Sequence, residues 1–128
     1  MAFATHTPRH ELELFSSGQA QADESLNESM AKIDALECAF VVSHSVSAQP
    51  GSPTDGQTWI VGSTATGAEW EGHDSEMGIA SSGSPSPFLF VTPKAGMRAF
   101  IDSLGVYAVY NGTAWKKFVT SDWSTSAF

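Results

Sequence analysis

The sequence predicts an α+β fold in which an N-terminal helix precedes a small, loop-rich antiparallel β domain of about six short strands. Apolar side chains recur at helical spacing in residues 18–38. Downstream, short runs of β-branched and aromatic residues alternate with clusters of glycine, proline, serine and asparagine. The 128 residues fit one domain. Its predicted parts are an extended N-terminal arm (1–17), the helix (18–38), the β domain (39–119) and a C-terminal tail (120–128).

The N-terminal arm is predicted to be extended. Pro8 disfavours helical conformation in the residue before it. Residues 11–14 alternate glutamate and leucine, which is the pattern of a short strand. The helix starts after two serines, because either Ser16 or Ser17 can cap its first turn.

The helix carries one narrow apolar stripe that needs a partner surface. Its apolar positions, spaced close to i, i+4, i+7, are Ala22, Leu26, Met30, Ile33 and Leu36. The partner is either the β part of the same chain or a neighbouring subunit. We predict subunit contact, because a hydrophobic content of 41% is modest and neighbours can complete the core. The predicted oligomerisation residues are Leu26, Met30, Ile33 and Leu36.

The β domain is predicted from runs of strand-forming residues between turn signals. The runs are 39–46, 58–62, 88–92, 97–103, 106–110 and 114–119. Leu104-Gly105 and Asn111-Gly112 supply two hairpin turns, and Asn-Gly is the stronger two-residue signal. A long loop of small residues, 63–86, contains a short apolar element at Ile79-Ala80.

The charge balance argues against several partners. The formal net charge is −8, and an anionic surface repels nucleic-acid backbones and anionic membrane surfaces. No apolar run approaches the roughly 18 residues of a membrane span, so we expect no membrane insertion. Residues 1–10 lack the pattern of a signal peptide, and the single cysteine, Cys38, cannot form an intrachain disulfide. These features are compatible with assembly in a reducing cytoplasm.

Signatures of catalysis and of bound cofactors are missing from the sequence. It contains no Gly-x-Ser-x-Gly motif, and no Lys-Ser/Thr pair follows the glycines at positions 62, 67 and 72. His73 has three carboxylates close in sequence, too few for the roughly six to eight oxygens that Ca²⁺ takes. We therefore predict no enzymatic activity, no metal and no cofactor. A glycan-cleaving enzyme stays open as a minor alternative, since two of the 14 acidic residues could converge.

Aromatic side chains are the best candidates for ligand binding, because an exposed ring can stack on the CH face of a sugar. The predicted glycan-binding residues are Trp59, Trp70, His73 and Trp115. Trp70 and His73 lie in the loop 63–86, which we predict to be the recognition surface because loops concentrate binding residues. The alternative, that the tryptophans belong to the core or an interface, is favoured for Trp59 and Trp115 by their strand patterns.

Several short motifs occur in the order and spacing of a known family. They are Gln19-Ala20-Gln21, Asn27-Glu28, Ile33-Asp34-Ala35-Leu36, Trp59-Ile60-Val61-Gly62, Ala65-Thr66-Gly67, Trp70-Glu71-Gly72-His73, Ile79-Ala80, Phe90-Val91-Thr92-Pro93 and Tyr110-Asn111-Gly112. The chain resembles DUF2793, a domain family of unknown function, over almost its whole length. Each motif is weak alone, but together they are specific.

The resemblance implies a function that composition and periodicity do not. Proteins similar to this one occur in phages and in bacterial gene-transfer particles. The expectation is a structural virion protein, a surface spike or tail-fibre module that attaches to host-surface polysaccharide. It would be assembled in the bacterial host cytoplasm as a homo-oligomer, with a trimer as one candidate, and would contact other virion proteins. The alternative is a capsid decoration or fibre-adaptor protein that contacts only other virion proteins.

Overall fold

The computed structural model describes residues 6–15, 18–82 and 86–118. Within these ranges one helix is followed by seven short strands in two sheets, which confirms the predicted α+β class. The elements are α1 (Ala22–Glu37), β1 (Phe40–Val41), β2 (Thr58–Ile60), β3 (Met77–Ala80), β4 (Phe88–Val91), β5 (Arg98–Ile101), β6 (Val106–Tyr110) and β7 (Trp115–Lys117). The start of the arm (1–5), the cap candidates Ser16 and Ser17, and the tail (120–128) lie outside the described residues.

The strands divide into two sheets of different size. β2, β3 and β4 form a three-stranded antiparallel sheet, and the larger sheet has the order β1-β5-β6-β7. β1 pairs with β5 in parallel, so the prediction of an antiparallel β domain is wrong at this pair. A parallel pair needs a long crossover connection. Here the whole three-stranded sheet lies between β1 and β5 in the chain.

The segment predicted as a long loop, 63–86, contains a strand. The apolar element at Ile79-Ala80 belongs to β3, which is the central strand of the smaller sheet. All four residues of β3 are buried. A strand that is buried on both faces lacks the alternation of polar and apolar residues by which strands are recognised in a sequence.

Both predicted hairpin turns are present, but both connections are longer than the predicted two residues, and residues 102–105 join β5 to β6. Gly105 has a φ of 65°, and its N–H donates to the carbonyl oxygen of Ile101 at 2.8 Å to close the β5–β6 turn. The β6–β7 connection holds the four residues 111–114 rather than two. The side-chain oxygen of Asn111 accepts two backbone N–H bonds of this connection at 2.9 Å, which forms an Asx turn.

The helix and the arm contact each other closely. Gln21 has a φ of 59°, so α1 begins at Ala22 instead of residue 18. The arm folds back instead of staying extended, with an isolated bridge between His6 and Glu13. Its Glu13 N–H donates to the hydroxyl of Ser29 at 3.1 Å, which fixes the arm on the helix.

Two hydrophobic clusters form the core. The first is covered by α1 and draws on both sheets, with Val41, Ile60, Met77, Ile79, Leu89, Val91 and Ile101 among its buried members. The second contains Trp59, Val61, Ala65, Trp70, Ala80 and Phe88. A hydrogen bond directly after β1 links the two sheets. The Val42 N–H donates to the carbonyl oxygen of Thr58 in β2 at 2.8 Å.

Candidate functional site

Two of the four predicted glycan-binding residues lie in the core. Trp70 is 0% exposed and Trp59 is 5% exposed, so neither ring offers a face to a sugar. The two rings contact each other edge to face at 5.9 Å, and Phe88 completes the group at 5.6 Å from Trp70. The prediction that Trp59 and Trp70 bind glycan by stacking is therefore wrong. The segment around Trp70 connects two strands, but it folds inward because burial of such a large apolar ring is strongly favourable.

The backbone around Trp70 is fixed by Gln49. Its side-chain oxygen accepts N–H bonds from Glu69 at 2.8 Å and from Trp70 at 3.1 Å. Gly67 lies against the same side chain with a φ of 121°, where a Cβ atom would come within 2.5 Å of the Gln49 Cβ. This part of the loop 63–86 is therefore a packed structure and not a free recognition loop.

His73 is the one predicted glycan-binding residue of the loop that stays partly exposed. Its ring stacks on Phe90 at 3.7 Å, and its Nδ1 lies 2.9 Å from a carboxylate oxygen of Glu76. The neighbouring Asp74 accepts N–H bonds from the backbone of Ala65 and Thr64, and these bonds lower the pKa of its carboxyl. The described residues contain no group of three His, Cys, Asp or Glu side chains that could hold a metal ion.

Trp115 connects β7 to the turn that precedes β3. It is half-buried at the start of β7, and its indole N–H donates to the carbonyl oxygen of Ser75 at 3.0 Å. Its ring contacts Tyr110 edge to face at 5.4 Å. The polar atom of the indole is thus engaged within the chain, which fits a structural role.

The helix turns three of its four large apolar side chains to solvent. Leu26, Met30 and Ile33 are 47%, 58% and 47% exposed, and we call them the helix stripe. The face of α1 that packs on its own domain carries mainly small residues, including the buried Ser25 and Ser29. The alternative that this stripe lies on the chain's own β domain is therefore wrong.

Leu36 does not belong to the helix stripe. It is partly buried and packs against the first core cluster together with Ala31 and Ala35. The helix rotates Leu36 towards its own domain, where it also lines a groove beside Phe40, so its predicted part in subunit contact stays a prediction. The stripe lies on an acidic helix, since α1 contains five carboxylates and one lysine. Asp23, Asp34 and Glu37 are the exposed carboxylates among them.

A second exposed apolar surface crosses the larger sheet. Phe40, Phe100 and Tyr107 are register partners on β1, β5 and β6, with ring centroids 5.8 Å and 5.1 Å apart. Phe118 continues the line, because its N–H donates to the carbonyl oxygen of Tyr107 at 2.8 Å. We call these four rings the aromatic row. Phe40, Tyr107 and Phe118 are each about half exposed.

Basic side chains flank the aromatic row. Arg98, Val109 and Lys116 are register partners on β5, β6 and β7 and lie on the same face of the sheet, two residues from the row. Arg98 and Lys116 are exposed. A shallow groove of about 850 Å³ runs from the end of α1 along this face and is lined by Leu36, Cys38, Phe40, Met97, Phe100 and Tyr107. This face therefore combines exposed rings with positive charge.

The aromatic row was not found from the sequence as a site. The alternation in β5, where Arg98 and Phe100 point outward while Ala99 and Ile101 are buried, carries part of the signal. Its assembly into a row depends on the parallel pairing of β1 with β5, which no local pattern indicates.

The comparison with known families gives one result. The family model described as "Protein of unknown function (DUF2793)" matches residues 26–116, from the first residue of the helix stripe into β7. The chain belongs to the DUF2793 family. The match to DUF2793 includes the whole helix stripe and three of the four rings of the aromatic row, so both surfaces are mainly parts of the family domain. No curated protein matches the chain. Among the residues that the structure describes, this chain has no helix that is long and apolar enough to cross a membrane.

Proposed function

We propose that this DUF2793 chain is a structural, non-enzymatic subunit of a phage or phage-like particle, part of a surface spike or tail fibre that assembles from copies of itself. The observation that carries the proposal is the orientation of α1, which packs on its own domain with small residues and exposes Leu26, Met30 and Ile33. A helix that belongs to a monomeric domain turns its apolar stripe inward.

In a single copy the helix stripe stays exposed to water, and its burial would contribute considerable stabilising free energy. Full burial of a leucine, isoleucine or methionine side chain contributes roughly 1.5–3 kcal/mol. The three side chains of the helix stripe are about half exposed, so covering them would contribute roughly 2–4 kcal/mol per subunit on the same scale. Such a contribution, repeated in every subunit, favours an oligomer.

The placement in a particle is supported by the resemblance of the DUF2793 motifs to proteins of phages and gene-transfer particles. Electron cryo-microscopy of particles from cells that express the chain tests it. We expect density for several copies in mutual contact, with α1 at the contact, on a head vertex or a tail. Particles that lack the chain, or single copies whose α1 faces solvent, would contradict the proposal.

A second candidate function is attachment to host-surface polysaccharide, and the aromatic row favours it. Half-exposed rings beside Arg98 and Lys116 offer stacking and positive charge to an anionic saccharide. Binding of purified host polysaccharide to wild type and to Tyr107→Ala tests this function. Loss of binding with an unchanged melting temperature would support it, and the same incubation should release no reducing ends, because the proposed subunit is not an enzyme.

A further inference from the structure

We infer that the helix stripe of one copy packs on the aromatic row of the next copy, so that the subunits join head to tail. This inference rests on the proposed self-assembly and specifies its geometry. Each copy carries both surfaces, so a heterologous contact of this kind covers both of them and closes into a ring if the rotation allows. A contact between two helices would cover the helix stripe and leave the aromatic row exposed.

The charges of the two surfaces are complementary. α1 carries five carboxylates and one lysine, and that lysine, Lys32, donates to the backbone of the arm at 2.9 Å. On the face of the larger sheet that carries the aromatic row, the exposed charged side chains of the strands are Arg98 and Lys116, and both are basic. Pairing two copies of α1 would bring like charges together, whereas pairing α1 with the sheet brings opposite charges together.

The two surfaces also match in size and chemistry. Leu26 and Ile33 are seven positions apart on α1, which corresponds to about 10 Å along a helix axis. The aromatic row crosses four strands, which corresponds to about 14 Å. Phe40 and Tyr107 together expose roughly 200 Å², which suits the apolar centre of an interface that buries about 800 Å² per partner. The Met30 thioether is a favourable partner for aromatic rings.

Mixing two variants that are each blocked at one surface tests the inference. Ile33→Asp places a charge in the helix stripe, and Tyr107→Asp places one in the aromatic row. We expect each variant alone to be a folded monomer, with a dissociation constant for self-association raised at least about 30-fold. An equimolar mixture should form a one-to-one pair, because each variant keeps the surface that the other has lost.

Matched controls separate the contact from general effects of charge. Asn27→Asp adds the same charge to α1 beside the stripe, and Leu104→Asp replaces an exposed apolar residue in the β5–β6 turn. Both controls should assemble as wild type does. Circular dichroism establishes that each variant is folded, and Ile33→Ala with Tyr107→Ser repeats the mixing experiment if an aspartate variant unfolds.

The outcomes distinguish this inference from the function on which it rests. If Tyr107→Asp assembles normally and only Ile33→Asp is monomeric, the helices pair with each other, and the head-to-tail contact is wrong while self-assembly stands. If Tyr107→Asp assembles normally but no longer binds host polysaccharide, the aromatic row is a saccharide surface and the inference is overturned. If the wild type is monomeric, both the inference and the proposed self-assembly are wrong.

Discussion

Replacement of Trp70 by alanine should destabilise the domain strongly. Trp70 is 0% exposed and contacts Trp59 and Phe88 edge to face, with ring centroids 5.9 Å and 5.6 Å away. Truncation of a buried tryptophan to alanine costs about 3–5 kcal/mol. A domain of this size has a total stability of about 5–15 kcal/mol, so Trp70→Ala removes about a fifth of it or more.

The loss should be visible in thermal and chemical unfolding. A change of 1 kcal/mol shifts the melting temperature of a domain of this length by roughly 4 °C. We therefore expect the melting temperature of Trp70→Ala to fall by about 12–20 °C, with a matching decrease in the urea midpoint followed by circular dichroism.

The matched control is Leu104→Ala, which truncates a large apolar residue that is 40% exposed in a turn. Substitutions at exposed positions without special contacts change stability by about 0.5 kcal/mol or less. A Trp70→Ala protein as stable as Leu104→Ala would contradict the assignment of Trp70 to the core. It would restore the hypothesis that this ring is free to bind a ligand.

Three further predictions follow from contacts in the loop and at β7. Gly67→Ala should cost about 2 kcal/mol or more, measured by urea unfolding, because a Cβ atom would lie 2.5 Å from the Gln49 Cβ at a φ of 121°. Trp115→Phe should cost about 1 kcal/mol in the same assay, because it removes the hydrogen bond to the carbonyl oxygen of Ser75. Asp74→Asn should flatten the acid limb of the stability–pH profile. Backbone N–H bonds lower the pKa of Asp74 below its ordinary 3.8, so its contribution is present above that pH and is lost as pH falls through the lowered folded pKa. An unchanged wild-type acid limb in Asp74→Asn would contradict this, as would wild-type stability in Gly67→Ala or Trp115→Phe.

The sequence predicted the elements that have a clear local pattern. The strand over Val106–Tyr110 has the predicted bounds, and the helix differs only at its ends. The strand has strand-forming residues beside a turn, and the helix has a regular apolar spacing, and both are strong signals. β3 appeared only as a two-residue element, because burial on both faces removes the alternation.

The candidate sites were harder to predict, because they depend on what the elements pack against. A tryptophan between strand patterns suggests exposure, but Trp70 is fully buried. The apolar stripe of α1 was recognised from its spacing, whereas the inward packing of Leu36 depends on the rotation of the helix on its sheet. The aromatic row arises from long-range pairing of β1 with β5, and register between distant strands has no local signal.

The self-assembly of the chain is tested most directly by its mass in solution. Light scattering coupled to size-exclusion chromatography of the wild-type chain gives this mass over a range of concentrations. We expect a closed oligomer whose mass is a whole-number multiple of 13.6 kDa and does not grow further as concentration rises. A mass of 13.6 kDa at every concentration, up to the millimolar range, would contradict the account.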